Sequence, residues 1–238
     1  MFCGYHGPNR DFPPEHWVPD WLNRELFPAY AQGATHSRLG HEPWVKAKFE
    51  LTVRHVCANC NHGWMSDMET AVKPWAMALI LGTGGRPPAT ESEQLLLATY
   101  CFLKALSLEL GRPKDQLPTY PAILYRGTKE HQTPPLGCSI AIGARTPIPA
   151  GSPIYVWFQS QAIPYETVRP RVSSTAEGYH TTLLIGHLVI DVAGVLVAAQ
   201  ADMDHGERFV KLWPALPGKS IVWPPAELFT GVGPDGLV

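Results

Sequence analysis

Cys57-Ala-Asn-Cys60 sets two thiols at the two-residue spacing that presents both to one tetrahedral ion. Near the start of the chain, Cys3-Gly-Tyr-His6 repeats that spacing with an imidazole in the second place. Three sulfurs and one ring nitrogen form the donor set of a closed structural site. The expectation is therefore that Cys3, His6, Cys57 and Cys60 hold one Zn2+. Five cysteines is an odd number with three of them in this cluster, which suits zinc thiolates in a reducing cytoplasm better than a disulfide framework. The other two, Cys101 and Cys138, lie in apolar periodic segments and read as small buried hydrophobes, not nucleophiles.

A second set of residues flanks the thiols. Glu15-His16 and Pro19 stand in Pro14-Glu-His-Trp-Val-Pro19, Asn61 directly follows Cys60, and Gly63-Trp64-Met65 and the acidic Asp67 and Glu69 come next. This pattern resembles the HNH (His-Me finger) endonuclease family, and in particular a branch found in bacteria and phages. The resemblance covers residues 3–80 as motif. It implies a small ββα fold in which His16 acts as general base on water. It also implies a divalent ion, Mg2+ or Mn2+, on the oxygens of Glu15 and Asn61, with DNA phosphodiesters as substrate. The zinc would be purely structural, stapling a unit too small to hold itself together.

The chain departs from the family pattern at three places. Glu15 stands where Asp is usual, His6 where Cys is usual, and Leu51-Thr-Val-Arg-His-Val56 contains no middle asparagine. A second reading follows from the last departure: a catalytically degenerate zinc-binding module that serves in nucleic-acid or protein binding. Arg54 is the candidate phosphate contact, with His55 in support; the plain alternative makes both solvent-facing strand residues. His62 at a helix start, and His36 and His41 in a loop, read as surface histidines. Asp202, Asp204 and His205 read as a polar hairpin loop after a strand.

Charge adds a constraint on partners. The first 82 residues carry seven basic and eight acidic residues, a net −1, and the whole chain is −2. No basic excess is present to grip DNA nonspecifically, so affinity for it must come from a local patch, a bound metal, an oligomer or a partner. The chain begins polar and proline-rich without an apolar signal segment, and its longest apolar run is broken by Lys104 and Glu109. A cytoplasmic protein with no membrane contact is expected.

The elements that must position these residues fall on either side of Gly82-Thr-Gly-Gly-Arg-Pro-Pro88, a glycine/proline cluster between two periodic regions. It divides an HNH-like zinc-binding ββα module, 1–82, from a C-terminal part, 83–238, whose surface could take a protein partner or a second copy of the chain. Trp64, Met68 and Val72 recur at helical spacing, so they form the face by which the module's helix packs. Thr90-Glu-Ser-Glu93 is a capping box opening a helix that runs to Leu110 and is apolar on most sides. Short β-type runs follow at Pro121–Tyr125, Cys138–Ala144, Ile154–Gln159, Thr182–Val192, Val195–Ala201 and Arg208–Leu212. The pair around Ala193-Gly194 reads as a hairpin. Trp213-Pro214 and Trp223-Pro224-Pro225 should pin the tail to the sheet. The fold class expected is α+β: a small zinc-stapled ββα module, then an antiparallel sheet packed on a buried helix.

Overall fold

The computed structural model describes residues 12–16, 18–29, 34–37, 44–46, 52–54, 56–84, 86–110, 122–147, 155–164, 177–195, 203–215 and 221–230. Cys3, His6, His41, His55 and Asp202 lie outside them, as does most of the expected strand Val195–Ala201. The architecture is mixed α+β.

The N-terminal half begins with β1 (Glu15–His16), α1 (Asp20–Ala29), β2 (Ala34–Ser37), β3 (Trp44–Lys46) and β4 (Thr52–Val53). A short helical turn, α2 (Ala58–Cys60), passes through a π-helical turn, Asn61–Met65, into α3 (Ser66–Leu81). α1 starts on the Pro19 carbonyl, which accepts from the amides of Leu22 and Asn23, both at 3.0 Å. α3 buries Met68, Val72, Ala76 and Ile80, the four-residue rhythm of one helical face, with Trp64 packed at the head of the same stripe. It ends at Gly82, whose φ of 66° is the left-handed conformation of a helix C-terminus.

The second half consists of α4 (Glu91–Leu110), α5 (Ala122–His131), β5 (Cys138–Ala144), β6 (Tyr155–Pro164), β7 (Glu177–Ile185), β8 (Leu188–Val195) and β9 (Phe209–Trp213). The capping box forms as expected: Thr90 Oγ1 accepts from the Glu93 amide at 3.2 Å, and the Glu93 carboxylate accepts from the Thr90 amide at 3.2 Å. α4 is buried from Leu97 to Glu109, and its buried polar residues are Gln94, Thr99, Lys104, Ser107 and Glu109. No helix among the described residues is long and apolar enough to cross a membrane.

β1 and β4 form a two-stranded antiparallel ribbon, with Glu15 opposite Val53 and His16 opposite Thr52. The other strands form a seven-stranded sheet in the order β3-β2-β6-β7-β8-β5-β9. The sheet is antiparallel except where β2 runs parallel to β6. One face of the sheet carries Cys138, Ile140 and Ile142, which join α3 and α4 in a continuous hydrophobic core extending from Phe12 to Trp223. Trp213 Nε1 donates to the Pro135 carbonyl at 3.1 Å and packs on that core, which ties down the tail as expected.

Three expectations are corrected. His36, expected in a loop, belongs to strand β2, where it pairs with Trp44. Pro121–Tyr125 is no strand: residues from Ala122 onward form α5, where Leu124, Tyr125 and Thr128 turn inward at helical spacing. The apolar run was too short for its periodicity to separate strand from helix. The hairpin does not turn at Ala193-Gly194 either. β8 runs straight through both residues, and the turn is Gly186-His187, where Gly186 has a φ of 59°. Gly194 instead makes room for a neighbour, because a Cβ there would collide with the Tyr179 hydroxyl and the Gly137 carbonyl.

Candidate functional site

Three elements converge beside the ribbon. β1 supplies Glu15. The π-helical turn and the first turn of α3 supply Asn61, Met65 and Glu69. α4 supplies Tyr100, Leu103, Lys104 and Ser107 at helical periodicity. Together they line a cleft of about 120 Å³, enough for an ion and a few waters. The wider π turn, with Gly63 outside helical geometry at φ −99° and ψ −121°, also brings His62 onto the cleft wall.

The cleft is charged and partly dry. Lys104 Nζ lies 2.9 Å from Glu69 Oε1 and 3.6 Å from Glu15 Oε1, and it donates to the His16 carbonyl at 3.4 Å. It also sits 5.4 Å from the centre of the Tyr100 ring, a cation–π arrangement. Burial alone would lower the lysine's pKa, but Glu69, with Tyr100 and Glu15, overrides that and holds it above the usual value. Burial pushes the Glu15 carboxyl above the ordinary glutamate range, and Lys104 only partly opposes this. Glu15 is therefore a buried acceptor whose nearest cation is shared with a second carboxylate.

The structure brings Glu15 and Asn61 together on this cleft. His16, expected in the same centre, is half-buried and does not line the cleft, because neighbours on a strand point to opposite faces. Arg54 is exposed and its Nη1 donates to the Phe12 carbonyl at 3.3 Å, at the edge of the ribbon. Cys57 and Cys60 are buried thiols, not halves of a disulfide, and lie on one turn, with the Cys60 amide donating to the Cys57 carbonyl at 3.0 Å. Among the described residues no group of three His, Cys, Asp or Glu side chains is arranged to hold a metal ion. His62, Glu69 and Lys104 were missed as site residues. A lysine within an apolar helical run is the signal that could have found one of them, because a buried ammonium needs a partner.

No protein-family model matches the chain, and no curated protein or solved structure does.

A second polar cluster lies on the sheet face opposite α4. Asp191 on β8 accepts from His180 Nε2 and Thr182 Oγ1 on one oxygen and from His205 Nδ1 on the other, each at 2.7 Å. His205 Nε2 and Ser139 Oγ are 2.8 Å apart. The cross-strand register explains the convergence: Asp191 pairs with Thr182 on β7 and Ala141 on β5, and Ala193 pairs with His180 and Ser139. Burial would raise the Asp191 pKa, but the two histidines hold it well below the usual carboxylate range. Burial would lower that of His180, and its bond to Asp191 raises it above the usual value. The serine, histidine and aspartate follow the order of a nucleophilic triad, yet Ser139 is fully buried beneath His205. The cluster's evident work is to fasten residues 203–208 to the sheet. His205, expected as part of a loop, is thus the loop's anchor.

Proposed function

We propose that this chain is a metal-dependent endonuclease of the HNH (His-Me finger) type that hydrolyses DNA phosphodiesters. The observation that carries the reading is that Glu15 and Asn61, singled out by their place in the motif, line one cleft. An antiparallel ribbon, β1 with β4, followed by helix, supports the ββα form. A carboxylate and an amide carbonyl are hard oxygen donors that suit Mg2+ or Mn2+, and a buried, only partly compensated carboxyl fits such an ion.

When bound, a divalent ion would supply positive charge against the charge developing on the scissile phosphate and leaving oxygen. Glu15 and Asn61 would hold it. The motif would have His16 take the proton of the attacking water on an imidazole nitrogen, although His16 does not line the cleft that holds Glu15 and Asn61. Arg54, exposed at the ribbon edge, would steady a neighbouring phosphate. Lys104 fixes the strand that carries both motif residues, through its contacts with the Glu15 side chain and the His16 carbonyl. Cys57 and Cys60, with Cys3 and His6, would hold a purely structural zinc.

Purified protein with Mg2+ or Mn2+ should nick supercoiled DNA, and Glu15→Gln or His16→Ala should abolish nicking while the melting temperature is kept. One zinc per chain should be found by elemental analysis and lost in Cys57→Ser. Nicking that survives both active-site substitutions would sink the mechanism.

The ammonium of Lys104 beside Glu15 favours a second reading. In it the chain's own cation takes the place of a divalent ion, and the unit is a catalytically degenerate zinc module that binds nucleic acid or protein. That reading expects tightly held zinc and no binding of Mg2+ or Mn2+ that depends on Glu15.

A further inference from the structure

Two carboxylates in the cleft compete for a single ammonium, and they do not share it equally. Lys104 Nζ is 2.9 Å from Glu69 Oε1, a direct charge-assisted hydrogen bond, but 3.6 Å from Glu15 Oε1, which is ion-pair distance without a hydrogen bond. The lysine and Glu15 side chains are nearly buried, at 6% and 11% exposure, while Glu69 is at 27%. The Glu69–Lys104 pair is close to electrically neutral, so the negative charge left over in the cleft sits on Glu15.

Resting on the reading that Glu15 and Asn61 hold a divalent ion, we propose that Glu69 is a positioning residue that engages Lys104 and so keeps the Glu15 carboxylate available to that ion. Without Glu69, the carboxylate of Glu15 would be the one left within reach of Lys104 among the described residues. Its flexible four-carbon stem allows the ammonium to close the remaining gap to Glu15. Glu15 would then be neutralised by a tight ion pair, and an incoming cation would meet a like charge beside its ligand. With neither Glu69 nor Lys104 charged, Glu15 is freed again. Glu69 is well placed for this work because α3 continues directly from the turn that carries Asn61, and both residues line the cleft.

The test is a cycle of variants in the full chain, with Mn2+ alone as the probe and free Mn2+ read by electron paramagnetic resonance. Glu15→Gln and Glu69→Gln should each weaken Mn2+ binding by about tenfold or more, and Glu69→Gln/Lys104→Met should restore it to within about threefold of wild type. Rescue on removing a second buried side chain is not expected of a residue that only holds the helices together. Wild-type affinity in Glu69→Gln, or a double variant as weak as Glu69→Gln, overturns the proposal. If Glu15→Gln leaves Mn2+ affinity unchanged, the ion-site reading itself falls, and the role of Glu69 falls with it. Thermal melts report folding. Should Glu69→Gln alone fail to fold, the double variant still decides: it must bind Mn2+ as wild type does.

Discussion

Lys104 Nζ lies 3.6 Å from Glu15 Oε1, joining the middle of the buried helix α4 to the two-residue strand β1. The same ammonium reaches Glu69 on α3, so one charge braces three elements around the cleft. Removing it leaves two carboxylates facing one another with little water. Lys104→Ala should therefore lower stability by about 3–5 kcal/mol, the range for breaking a buried ion pair on one side. Lys104→Met, which keeps the packing of the stem, should cost less. Urea unfolding of the three proteins measures this; a loss under about 1 kcal/mol in the alanine variant would show that the charges are not coupled to folding.

Asp191 and His180 make stability depend on pH in opposite senses. The folded-state pKa of Asp191 is depressed, so its contribution is present above the ordinary aspartate value, about 4, and is lost as the pH falls toward the folded value. That of His180 is raised, so its contribution is complete below the ordinary histidine value, about 6.5, and fades as the pH rises through the folded one. The cluster should contribute most between about pH 4 and 6.5. Melting curves of wild type and Asp191→Asn across pH should differ most in that window, and a difference that does not vary with pH would refute the assignment.

Gly194 is placed by packing, not by a turn. Gly194→Ala should destabilise by about 1–3 kcal/mol, because the new methyl meets the Tyr179 hydroxyl and the Gly137 carbonyl in the fully buried strand β8. Denaturant unfolding checks this. Adding Tyr179→Phe should recover part of the loss, since it removes the nearest obstructing atom.

Local chemistry made part of the molecule legible in its sequence. The Thr90–Glu93 capping box, the limits of β5 and the burial of Cys101 and Cys138 all follow from neighbours in the chain, and the structure contains each. The motif likewise singled out Glu15 and Asn61, which the structure places on one cleft. Helix α5 and the Gly186-His187 turn were not legible: a short apolar run fits either period, and glycine serves close packing as readily as a turn. Glu69, Lys104 and the Asp191 cluster needed the tertiary fold. Their partners lie on other helices and strands, and a charge becomes costly, and so informative, only once packing has taken the water away from it. The sequence by itself determined which residues could do chemistry and where several helices and strands run; the tertiary structure decided which charges meet, because burial and cross-element distance exist only in the folded chain.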